Sequence, residues 1–143
     1  MHPFRQAVEA HDTDAIAALL SDDVVFHSPV AFQPYVGKPL TAAIVRAVAR
    51  VLEDFYYIRE MSGPDGRDHA LVFRATVNGR HVEGCDFLHI DDDGLIDDLT
   101  VMVRPLSGVT ALAEAMGVQF ERITHEAGVA ARNDRPAGWL GPT

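Results

Sequence analysis

Cysteine is almost missing from this chain: Cys85 is the only one in 143 residues. No internal disulfide can form, and no thiol pair is available for zinc. Positive charge is also scarce, with 12 Lys and Arg against 21 Asp and Glu and a formal net charge of −9. Such a chain repels nucleic-acid phosphates and anionic membrane surfaces, and no basic stripe with interleaved aromatics offsets the acidity. No apolar run approaches membrane-spanning length, and the opening MHPFRQAVEAHD lacks an apolar signal core. The expectation is a cytoplasmic protein with neither nucleic-acid nor membrane partners. Repeats, low-complexity tracts and interior linkers are absent as well. What remains is 48% hydrophobic residues in a length that suits one domain with a real core.

The most informative stretch runs from Ala70 to Arg104 and reads as three strands joined by two tight turns. Asn78-Gly79 is a strong hairpin signal, because a type I′ turn needs positive φ at both central residues. Asp91-Asp92-Asp93-Gly94 marks the second turn. It is no calcium loop, since the bidentate acid of an EF-hand falls on Met102. With Val77 opposite Arg80, the register places Ala75 against Val82, Phe73 against Gly84 and Leu71 against Asp86. One face then carries Leu71, Phe73, Ala75, Val82, Gly84, Leu88 and Ile90, with Asp86 as its single charge. The other face pairs Arg74 with Glu83 and Thr76 with His81, as suits a wetter surface. His81, Glu83 and His89 share that outer face, but two ligands without a third make no metal site.

Earlier in the chain, Pro3–Ala10 has helical spacing, and Asp12 or Thr13 caps a second short helix through Leu20. Ser21-Asp22-Asp23 interrupts the pattern before a short strand, Val24–Ser28, which Pro29 ends. Residues 30–37 form a loop. A longer helix follows from Pro39, with Leu40, Ile44, Val48, Val51 and Leu52 on one stripe. Phe55–Met61 is a strand, and either Tyr56 or Tyr57 must face inward. Ser107 is placed as the cap of a last helix that Gly117 weakens. Helices followed by a strand meander define an α+β domain, with helices against one face of an antiparallel sheet.

The segments DTDAIAALLSDDVVFHSPV and GCDFLHIDDDGLIDDLTVMVRP, with Gly37 entering the long helix, carry a family likeness. In these residues and in element order the chain resembles the nuclear transport factor 2-like superfamily, in the group of SnoaL-like polyketide cyclases and ketosteroid isomerases. The resemblance implies a cone-shaped roll: a curved antiparallel sheet and helices around one apolar pocket. The likeness runs through about Gly117, and the domain is placed at residues 1–131. The segment 132–143, rich in Pro and Gly, is an irregular tail whose Trp139 docks on the body, with a pocket lid as the alternative. The resemblance also implies a homodimer, since the family often pairs through its sheets; Cys85, Phe87 and Met102 suit such a contact. The isomerases use a tyrosine, a general-base aspartate and an aspartic acid kept neutral by an apolar site. Those positions fall here on Phe4, Ser28 and Asp86. Only the third keeps its acid, so the best-known isomerase mechanism lacks its base.

Asp86 is therefore the candidate acid or hydrogen-bond donor, by pattern and by resemblance. A structural aspartate, paired in the pocket wall, is the plainer alternative. His27 has base chemistry near neutral pH. Strict alternation sets it opposite Val24 and Phe26, so it reaches the pocket only if Pro29 twists the strand end. The remaining pocket candidates are Phe4, Phe26, Ser28, Tyr57, Phe73, Leu88, Leu99, Val101 and Val103. The function expected is binding of a small hydrophobic molecule of polyketide, terpenoid or steroid type. Acid/base chemistry without cofactor or metal would follow, of isomerase, cyclase, dehydratase or hydrolase kind. A non-catalytic ligand binder or a structural dimer of the same fold is the alternative.

Overall fold

Asn78 and Gly79 both take positive φ, and the hairpin they close has the expected register throughout, from Val77 against Arg80 to Leu71 against Asp86. The computed structural model describes the backbone of residues 1–133 and side chains through residue 130. Its elements are α1 (Pro3–Glu9), α2 (Thr13–Ala18), β1 (Leu20–His27), β2 (Tyr35–Val36), α3 (Lys38–Val51), β3 (Glu53–Ser62), β4 (Asp68–Val77), β5 (Arg80–Ile90), β6 (Ile96–Arg104) and α4 (Leu106–Asn133). Six strands form one curved sheet in the order β2-β1-β6-β5-β4-β3, and the helices pack on its inner face. The expectation of an α+β roll holds. One pairing departs from it, because β1 runs parallel to β6 while every other pair is antiparallel. Strand β2, helix α3 and strands β3–β5 intervene between the two, long enough for the crossover that a parallel pair needs.

Alternation decides which side chains enter the core. On β5, Val82, Gly84, Asp86, Leu88 and Ile90 are buried, and on β4 Leu71, Phe73, Ala75 and Val77 are buried with them. Strand β1 starts at Leu20, earlier than expected, and a register shift between Leu20 and Val25 absorbs Ser21-Asp22-Asp23. Beyond it Val24 and Phe26 point inward, as alternation requires. Helix α3 enters through Gly37 at φ 104° and has Pro39 in its first turn. Its buried face is Thr41, Ala42, Ala43, Ile44 and Ala47, smaller residues than the expected stripe, which bring the helix axis close to the sheet.

The last helix is longer than its sequence suggests. Ser107 does not cap it; the Pro105 carbonyl, after a cis Arg104–Pro105 bond, accepts from Val109 N–H at 3.0 Å. Gly117 sits inside the helix, where it costs about 1 kcal/mol against alanine. Buried Ala111, Leu112 and Ile123, with Arg50 of α3 bonded to Gln119 and Glu126, outweigh that cost. The helix continues through Asn133, two residues into the expected tail. Residues 134–143, including Trp139, lie outside the described residues.

Gly84 shows how tightly the inner face is filled. A Cβ there would lie 2.4 Å from Phe73 Cζ and 2.8 Å from the Met102 carbonyl oxygen. The Phe73 ring occupies the space a side chain would take, and it stacks on Phe55 with centroids 4.8 Å apart. Gly84→Ala is expected to destabilise the fold by about 1–3 kcal/mol through overpacking. Urea unfolding of the variant checks this, and an unchanged midpoint would contradict the packing described.

Candidate functional site

Beneath the sheet lies an apolar cavity of about 130 Å³. Its walls come from Phe4 and Val8 of α1, Ile16 of α2, Val45, Val48 and Leu52 of α3, and Leu112 of α4. The sheet contributes Phe26, Phe55, Tyr57, Phe73, Leu99, Val101 and Val103. Among these side chains stands Asp86, 8% exposed, flanked across the ladders by Leu71 and Val101. Its one hydrogen-bond partner among the described residues is Tyr57, whose hydroxyl donates to Oδ2 at 2.8 Å.

That bond crosses a strand. Tyr57 is on β3 and Asp86 on β5, so about 10 Å separates their backbones at ordinary strand spacing, and a tyrosine is long enough to reach. Two irregularities in β3 set the reach. The ladder shifts between Glu53 and Tyr56, with Asp54 at φ 52°, and again between Tyr57 and Arg59. Between them Phe55 and Tyr57 turn inward and Tyr56 is exposed. The second shift brings Glu60 opposite Leu71 on the inner side. There Glu60 accepts from Arg5 Nη1 at 3.3 Å and from the His2 backbone N–H at 3.1 Å, which ties down α1. Arg5 in turn lies over the Tyr57 ring, 5.6 Å from its centroid.

Burial dominates the electrostatics of the pair. Desolvation raises the Asp86 pKa from 3.8 to about 7, and the Tyr57 hydrogen bond, which favours the charged form, lowers it by less. The Tyr57 hydroxyl is pushed far up, first by burial and then by the neighbouring Asp86, so it stays a donor. Asp86 is thus poised between acid and carboxylate near neutral pH, where a side chain serves best as a proton donor or acceptor. Tyr57 leaves Oδ1 free to carry the proton and present it to a ligand oxygen.

The expected pocket residues Phe4, Phe26, Tyr57, Phe73, Leu99, Val101 and Val103 all line the cavity with Asp86. Three others do not. His27 is on the outer face of β1, its Nε2 3.1 Å from Asp98 Oδ2, because Pro29 ends the strand without rotating it. Leu88 is 1% exposed and belongs to the core beside the cavity. Ser28 lies in the neighbouring groove, and its Oγ accepts from Val30 N–H at 3.1 Å.

Two polar lining residues, His11 and Thr13, were not anticipated. His11 reaches the cavity from the junction of α1 and α2 and is itself exposed, which puts it at the mouth. Its N–H bonds to the Val8 carbonyl and that of Asp12 to the Ala7 carbonyl, the pairing of a Schellman cap. His11 holds the left-handed position of that cap at φ 54°, where glycine is usual. The hint in the sequence is Ala10-His11-Asp12 between two helices, a break without glycine. His11, Tyr57 and Asp86 are the titratable side chains among the described lining residues.

Because the native Asp86 keeps its proton to about pH 7 and the unfolded one loses it near 3.8, the native state binds more protons between those values. Stability therefore falls as pH rises through that window, and the loss is complete above it. From pH 5 to pH 8 the protein is expected to lose about 2–3 kcal/mol relative to Asp86→Asn, which has no proton to release. Urea unfolding of both proteins at the two pH values measures this; parallel behaviour would mean the Asp86 carboxyl is ionised throughout.

Comparison with known proteins agrees with this architecture. The SnoaL-like domain profile matches residues 2–99. A steroid delta-isomerase from Pseudomonas aeruginosa is 40% identical, with 85% of this chain and 89% of that one covered at a TM-score of 0.80. A protein with a cystatin-like fold from Silicibacter pomeroyi is 31% identical over 87% of this chain and 91% of that one, at a TM-score of 0.77. An epoxide hydrolase/cyclase-like enzyme of pyran ring formation in salinomycin shares the fold, at 18% identity, 73% and 87% coverage and a TM-score of 0.60. No curated protein sequence matches. With most of its length matched both in sequence profile and in fold, the chain belongs to the SnoaL-like domain family of the nuclear transport factor 2-like fold.

Proposed function

We propose that this protein binds a small hydrophobic carbonyl compound in the cavity and acts on it by acid/base chemistry. The buried Asp86–Tyr57 pair in an otherwise apolar wall carries the reading. A neutral acid in such a place hydrogen-bonds a ligand oxygen at little desolvation cost, and the bond strengthens as negative charge develops there. The base is His11 at the mouth, in place of His27. In the simplest step His11 takes a proton from the carbon next to the carbonyl. The C–H electron pair moves into the new C=C bond, and the enolate oxygen is held by the Asp86 proton. Return of a proton to carbon completes an isomerisation or exchange, and the same two groups suit a cyclisation, dehydration or hydrolysis. That the steroid delta-isomerase is 40% identical supports this reaction class.

The probe is 3-methyl-2-cyclohexenone, a single-ring enone. Saturable methyl shifts of the lining residues in NMR report binding, and deuterium uptake at carbon in D2O reports catalysis. Asp86→Leu is expected to fold and to bind about 10–100-fold more weakly, the worth of a buried hydrogen bond. His11→Gln is expected to keep the affinity and lose the exchange. Binding without exchange in the wild type would favour a non-catalytic ligand binder. Unfolding of both Asp86→Leu and Asp86→Asn would favour a structural role for the carboxyl.

The outer sheet face exposes Phe87 and Met102 beside Cys85, with Tyr56 and Ile58 two strands away on β3, and we propose that two copies pair there. Sedimentation is expected to show a dimer that Phe87→Lys with Met102→Lys dissociates. A monomeric wild type would end this proposal.

A further inference from the structure

The inner cavity is small. At about 130 Å³ it is close in volume to an apolar cavity that takes up benzene, so it holds one ring. Next to it, between α3, α4 and the loop after β1, lies a groove of about 750 Å³. The two share a wall: Phe26, Val48 and Leu112 line both. Phe26 and Leu112 are buried, and Val48 is partly so.

The groove's chemistry is one-sided. Its walls include Tyr35, Ile44, Met116 and Phe120, and none of its lining residues among those described is charged. Three hydroxyls, of Ser28, Tyr35 and Thr124, belong to its lining, and two of them make hydrogen bonds to the backbone. Ser28 Oγ accepts from Val30 N–H, and Thr124 Oγ1 donates to the Phe120 carbonyl at 3.0 Å. The groove therefore offers apolar surface without a carboxylate or ammonium to recognise a charged group. In a chain of net charge −9 that suits an uncharged extension.

We infer that the ligand is bipartite: a carbonyl-bearing ring in the inner cavity at Asp86, joined to an apolar chain that passes Phe26, Val48 and Leu112 into the groove. The inference rests on the ring-binding reading above and adds the second half of the molecule. Ring and chain then have separate determinants. Asp86 selects the oxygen, and the α3–α4 groove selects length.

Gly117 permits a clean test. It lines the groove, does not line the inner cavity, and a Cβ built on it meets nothing within 4 Å. Gly117→Phe starts from that open Cβ position and adds a ring at the groove, in a helix where phenylalanine is favoured over glycine. The probes are 2-cyclohexenones bearing methyl, butyl or octyl at carbon 3, titrated against the full chain by calorimetry. Full burial multiplies affinity about 4-fold per methylene, so even a partly buried octyl chain is expected to bind at least tenfold more tightly than methyl. Gly117→Phe is expected to bring the octyl-to-methyl ratio towards 1, while Asp86→Leu weakens both probes and leaves the ratio. No gain with chain length, or a gain that Gly117→Phe leaves intact, overturns the bipartite ligand. Failure of the methyl probe itself to bind, or its equal binding to Asp86→Leu, overturns the ring reading instead.

Discussion

A single hydrogen bond, from the Tyr57 hydroxyl to Asp86 Oδ2, is the constraint around which the inner face is arranged. A carboxyl taken this far from water must be neutral or paired, and among the described residues it is given one neutral donor and no cation. The consequence is an acid whose charge is decided by small changes in pH or by an arriving ligand. Reaching it demands a long side chain from two strands away, and that demand explains the irregular course of β3. Its two ladder shifts turn Tyr57 inward and carry Glu60 round to hold Arg5 and the start of α1. Helix α1 then contributes Phe4 and Val8 to the cavity wall. One strand, β3, thus carries both the donor to the acid and the anchor of α1.

The rest of the molecule keeps this site apolar and small. Phe73 lies over Gly84, alanines on α3 let that helix close on the sheet, and Leu112 of α4 fills the remaining side. The chain's excess of acid is spent outside, on turns such as Asp91, whose Oδ1 accepts from Asp93 N–H and Leu95 N–H, and on pairs such as His89–Asp97 at 2.7 Å. Among the described residues Asp86 is the one buried carboxyl, while Glu60 on the inner side is paired with Arg5.

Much of this could be read from residues alone, and the reason is local. Asn78-Gly79 fixes a turn, a turn fixes a register, and a register of period two assigns every side chain of β4 and β5 to a face. Asp86 on an apolar face follows from those steps. What could not be read depends on longer-range geometry. Tyr56 and Tyr57 are equivalent until the shifts in β3 are known. The parallel pairing of β1 with β6 leaves no trace in either strand's composition. Gly117 weakens α4 locally, but burial of Leu112 and Ile123 against distant elements decides the helix. His27 was favoured for its chemistry and excluded by alternation, and alternation was the better guide. His11 is not legible in the sequence because its place depends on how α1 and α2 meet the mouth of a cavity that neither builds alone.

The site stands on the protonation of one group, and that can be observed directly. With aspartate carboxyl carbons labelled, the Asp86 resonance can be followed by NMR from pH 4 to pH 9 and assigned by its loss in Asp86→Asn. A midpoint near 7 is predicted, moving higher in Tyr57→Phe because the lost hydrogen bond favours the charged form. A midpoint near 3.8, the ordinary value for an aspartate, would show the carboxyl ionised in the folded protein and contradict the neutral acid on which the site is built.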